Sequence, residues 1–116
     1  MKRLALLMGI GMALCANAAE RRIGTIAATA PTAQSNTSTG VPFSVPANTK
    51  LSIQCDADVY VVVAAGTVTA TANEVKISAG SLFPTSTPSG AGGVVSILPV
   101  SGSATCNVFV RSGNEV

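Results

Sequence analysis

Seven apolar residues at every second position, Leu51, Ile53, Cys55, Ala57, Val59, Val61 and Val63, constrain this chain more than any other feature. Their alternation partners include Ser52, Gln54, Asp56, Asp58 and Tyr60. Successive side chains of a strand point to opposite faces, so this period of two predicts a half-buried strand and excludes a helix. Acids are poor strand residues, and Asp56 to Asp58 therefore predicts a bend or bulge that divides the run in two. Residues 59–63 are apolar at both parities, which fits a central strand or one covered by a neighbouring subunit.

The rest of the body follows the same grammar. From Ile23 onward Val, Thr, Ser, Ala and Gly dominate, and β-branched side chains pack on a pleated surface better than they fit a helix. Strands are expected at residues 23–28, at 43–45 between Pro42 and Pro46, at 94–98 and at 105–110. Residues 67–71 and 74–77 read as a hairpin turning at Ala72-Asn73. Pro46-Ala47-Asn48-Thr49 reads as a type I turn, and residues 84–93, with two prolines and three glycines, as a loop. About seven to eight short strands at this spacing predict an all-β fold, a single small β-sandwich or jelly roll. The expected organisation is a signal-like apolar segment at 1–20, an extended arm or linker at 21–40 and the β domain at 41–116.

The front of the chain is written differently. Lys2 and Arg3 precede an uncharged apolar run at 4–14, and Ala16-Asn17-Ala18 offers a small-x-small cleavage site, the three parts of an export signal. The run is about half the length a spanning helix needs, so no permanent membrane span is expected. Leu14 before Cys15 argues against lipidation. The competing reading is a mis-assigned start or a short buried helix.

Charge narrows the function classes. Only 10% of the 116 residues are charged, there is no His and no Trp, and from Ile23 onward three cations stand against four acids. A nucleic-acid binder needs a basic face, with aromatics for single strands, and this body offers neither. General acid–base and nucleophilic catalysis lack most of their usual parts, so the expectation is a non-enzymatic protein without cofactor or metal.

Two cysteines remain in the body. Cys55 and Cys106 share parity with core residues on their strands, and two readings stand: a disulfide closing a loop of about 50 residues, contributing about 3–4 kcal/mol, or a pair of buried thiols. Asp56 and Asp58 are spaced to share a hard cation such as calcium, but short Asp side chains at a bend more simply satisfy backbone groups. Asn36-Thr37-Ser38 fits the N-glycosylation pattern, which has meaning only in a eukaryotic secretory route. The hydroxyl-rich tracts at 30–40 and 81–93 read as solvated loops rather than ligand-binding segments. With only Phe43, Tyr60, Phe83 and Phe109 as large side chains the core is thin, and self-association is expected to supplement it.

The text from Val45 to Tyr60, Val-Pro-Ala-Asn-Thr-Lys-Leu-Ser-Ile-Gln-Cys-Asp-Ala-Asp-Val-Tyr, and from Ile97 to Phe109, Ile-Leu-Pro-Val-Ser-Gly-Ser-Ala-Thr-Cys-Asn-Val-Phe, resembles small β-rich structural proteins of tailed bacteriophages, including capsid decoration and cement proteins. The resemblance implies a virion protein assembled in the host cytoplasm, with Cys55 and Cys106 reduced, whose partners are its own copies and the major capsid or tail protein. The signal-like front end departs from that pattern. It supports the alternative of an exported periplasmic or surface protein, an adhesin or appendage subunit, cleaved near Ala18.

Overall fold

The computed structural model of the protein describes residues 20–38, 42–90 and 92–111. The signal-like segment and its cleavage site lie outside these residues, apart from Glu20. The described chain is all-β: β1 (Arg21–Thr29), β2 (Gln34–Ser35), β3 (Lys50–Cys55), β4 (Val59–Ala65), β5 (Val75–Ile77), β6 (Leu82–Ser86), β7 (Gly93–Pro99) and β8 (Ser103–Arg111). They form two four-stranded sheets in the orders β1-β8-β3-β6 and β2-β7-β4-β5, and every pairing is antiparallel. No helix among the described residues is long and apolar enough to cross a membrane.

One hydrophobic core joins the sheets. Ile26 and Ala28 of β1, Leu51, Ile53 and Cys55 of β3, and Cys106 and Val108 of β8 come from the first sheet, and Val59, Val61, Ile77, Val95 and Ile97 from the second. The row that began at Leu51 keeps its inward parity across the bend at 56–58, although β3 and β4 belong to different sheets. Ala57 and Val63 complete the row as half-buried neighbours of the core. Residues 59–63 are apolar at both parities because β4 is an inner strand, with β7 on one side and β5 on the other. Val59 and Val61 fill the core, while Tyr60 and Val62 are half-buried on the opposite face.

Several expectations are corrected. The strand expected at 23–28 is present and longer, as β1, and the described part of the stretch read as an arm or linker, 21–40, holds β2 as well. β1 pairs with β8 from Arg21↔Val110 to Thr29↔Ser103, interrupted by a bulge between Arg22 and Gly24. The expected strand at 67–71 is absent. The Ala70 amide instead donates to Ser96 Oγ at 3.0 Å, so this segment crosses the outer face of β7 and leaves β4 to pair with β5. Residues 82–86, assigned largely to a loop because of Pro84, form β6. A proline lacks the ladder donor, and β6 accommodates it as an edge strand, with Pro84 opposite Ser52 of β3.

The turn at 46–49 stands where expected but is of another type. Asn48 has φ 54°, in the left-handed region, whereas a type I turn requires negative φ at that position. A hydroxyl stands inside it: Thr87 Oγ1 donates to the Pro46 carbonyl at 2.8 Å and accepts from the Thr49 amide at 2.8 Å. The expected strand at 43–45 contracts to one bridge, Val45↔Gly93.

Phe43 packs against the core over the β1 bulge, where Gly24 leaves room for its ring. A Cβ on Gly24 would collide with the Phe43 ring. Gly24→Ala is therefore expected to displace the ring and destabilise the fold by about 1–3 kcal/mol. The urea midpoint would report it, and adding Phe43→Leu should recover part of the loss.

Candidate functional site

The disulfide corner is built by register. Cys55, the last residue of β3, lies directly opposite Cys106 of β8, with Cα atoms 4.0 Å apart and the sulfurs joined at 2.03 Å. This separation belongs to the narrow, non-hydrogen-bonded type of antiparallel pair, where facing side chains come closest. Both residues are buried, at 2% and 0% exposure, so the bond lies within the core rather than on the surface. It bridges a sequence separation of 51 and ties the middle of the chain to its last strand.

Asp56 and Asp58 follow immediately, and each holds a different neighbour. Asp56 Oδ1 accepts the Thr105 amide at 2.8 Å, while the Asp56 amide donates to the Thr105 carbonyl at 3.1 Å. Asp58 Oδ1 accepts the Ala79 amide at 2.8 Å, and its carbonyl accepts the Val100 amide at 3.0 Å. The two carboxylates thus fasten β8 and the segment before β6 to the bend between the sheets. Among the described residues no three His, Cys, Asp or Glu side chains gather as a metal-binding group.

The hydroxyl-rich tracts contain two residues that sequence reasoning missed. Asn36, 2% exposed, donates from Nδ2 to the Phe43 carbonyl at 2.8 Å and accepts the Val95 amide on Oδ1 at 2.8 Å. Its own amide donates to the Val95 carbonyl at 3.1 Å, so one side chain continues the edge of β7 beyond the two residues of β2. The nitrogen that glycosylation would modify is thereby buried and engaged. Thr87, 4% exposed, ties the turn at 46–49 to the segment after β6. An asparagine among serines and threonines, or a threonine beside a proline, carries no periodic signal that would have exposed either role.

The outward face of the first sheet combines polar side chains with a few apolar ones. Thr25, Asn107, Gln54 and Leu82 form one row across its four strands. Asn107 Oδ1 accepts from Thr25 Oγ1 and from Arg22, both at 3.3 Å, and Gln54 Nε2 donates to the Gly80 carbonyl at 3.0 Å. Set against known proteins, the chain matches no family model, no curated protein and no solved structure.

Three outcomes follow from these contacts. Asn36→Ala leaves the buried Val95 amide and Phe43 carbonyl without their side-chain partners and should cost about 1–3 kcal/mol for each group left unsatisfied. Thr87→Val should lower stability in the same sense, whereas Thr87→Ser keeps the hydroxyl and most of the stability. Urea denaturation of these three variants measures the first two. Replacing Cys55 and Cys106 together by Ala should cost about 2–5 kcal/mol, read from the shift in thermal midpoint under non-reducing conditions.

Proposed function

We propose that this chain is a non-enzymatic structural protein that works through the surfaces of a jelly-roll domain, as a capsid decoration, cement or other head or tail accessory protein of a tailed-phage virion. The observation that carries this reading is the strand order. β1 pairs with β8, β2 with β7, β3 with β6 and β4 with β5, a nested series in which a folded ribbon of antiparallel pairs is rolled into two sheets. Jelly rolls of eight strands recur in viral capsid and lectin domains, where function resides on outer faces and loops. The support is fold-level analogy joined to the resemblance noted above.

A second reading has its own observation. The Cys55–Cys106 disulfide, with the export-signal pattern at 1–18, favours a periplasmic or surface protein, because such bonds persist in oxidising compartments. Each sheet obtains all four of its strands from this chain, so an exported form fits a self-complete adhesin domain better than a subunit awaiting a donated strand.

Mass spectrometry of the chain from purified particles and from cell fractions separates the two. The virion reading expects the protein in banded particles, with a first residue other than Ala19 and with both cysteines alkylated when cells are trapped before lysis. Recovery from the periplasm beginning at Ala19, with the disulfide already closed, overturns it in favour of export.

A further inference from the structure

We infer that copies of this chain associate head to tail, the cationic end of the first sheet on one copy receiving the acidic bend of the next. This deepens the surface-acting reading above and rests on it, by naming the partner as a second copy and the contact as one between unlike surfaces.

Sheet register gathers the cations. Lys50 of β3 and Arg111 of β8 are direct partners, and Arg22 of β1 lies opposite Phe109 of β8, with Arg21 one residue before it. Four cations from three neighbouring strands thus share one end of the sheet. Arg21, Arg22 and Lys50 are exposed. Among the described residues only Arg111 meets an acid, Glu20, at 3.8 Å. Arg22 also reaches Asn107 Oδ1 at 3.3 Å, which holds the guanidinium beside the half-buried Phe109.

The opposite end carries the complementary charge. Asp56 and Asp58 are exposed at the bend where β3 passes to β4, and each carboxylate is held in place by a backbone amide through one oxygen. Two exposed apolar residues flank them: Leu82, 50% exposed, is the register partner of Gln54, and Val100, 40% exposed, follows the strand end that meets Asp58. Lys50 and Asp56 are six residues apart along one strand direction, about 20 Å at the usual rise. That is about two Debye lengths at 0.1 M salt, so the two ends do not neutralise each other within one copy. Between copies they can meet at contact distance, with Phe109 on one side and Leu82 and Val100 on the other supplying apolar area. A contact between two different surfaces of the same chain is heterologous, and it propagates into rings or open rows rather than closing as a twofold dimer.

Sedimentation velocity of the chain purified from its own cells or particles tests this. Wild type should sediment above the monomer at about 20 mM salt and return to the monomer at about 0.5 M. Arg22→Glu with Lys50→Glu should abolish association at one end. Asp56→Asn with Asp58→Asn should abolish it at the other while keeping the oxygen acceptors that hold the bend. The decisive sample is an equimolar mixture of the two double variants, each folded by circular dichroism. One intact cationic end and one intact acidic end remain, so the mixture should form dimers and stop there. A mixture that stays monomeric, or a wild type whose association ignores both salt and these substitutions, overturns the inference. A chain monomeric in every condition that still copurifies with its particle or cell surface overturns the head-to-tail contact and leaves the broader reading standing.

Discussion

The fold depends on burying small aliphatic side chains between two sheets, because the chain has little else with which to offset the entropy of ordering. It contains three Phe, one Tyr and no Trp, so the interior is filled by Ile, Val, Leu and Ala that must interlock closely. The inward row from Leu51 to Val63 does this in a single stretch, supplying the first sheet and then the second without changing parity. Asp56 and Asp58 make that passage feasible, since their carboxylates satisfy amides that a sharp bend would otherwise leave unpaired. The disulfide adds a covalent tie at the same corner, beside the bend where the two sheets diverge.

What the sequence made legible was what period and composition can encode. Alternation placed Leu51, Ile53, Val59, Val61 and Val108 inward, and predicted both cysteines to face the core, because burial on one face leaves a trace in the order of residues. Edges and crossings leave no such trace. β6 was hidden because Pro84 is a breaker in an inner strand yet tolerable on an edge, and edge position is decided by the rest of the fold. Residues 67–71 carried the alternation of a strand and became a covering segment, because β5 took the place beside β4 while Ser96 offered a hydroxyl to the Ala70 amide. Asn36 and Thr87 each act by bridging two backbone groups, and the assembled sheets bring the distant ones, Val95 for Asn36 and Pro46 and Thr49 for Thr87, within reach.

The functional reading follows the same division. The interior explains why the domain stands, whereas its outward faces carry threonine, asparagine and glutamine side chains together with separated charges. Few of these groups are committed to ion pairs inside the described chain, and most keep their charge for solvent or another surface.

Pro84 bears on how such a chain avoids the wrong kind of assembly. Proline's missing N–H cannot be supplied to β3, so its nitrogen must face the open side of β6, where it removes a donor that an incoming strand would need. Fibril growth by edge-to-edge stacking of the first sheet is thereby hindered on that flank. The other flank, β1, begins with Arg21 and Arg22 and is interrupted by its bulge, two further gatekeepers against amyloid-like pairing. With both margins of its first sheet blunted, the domain can expose that sheet at high local concentration without inviting a neighbour to zip onto it.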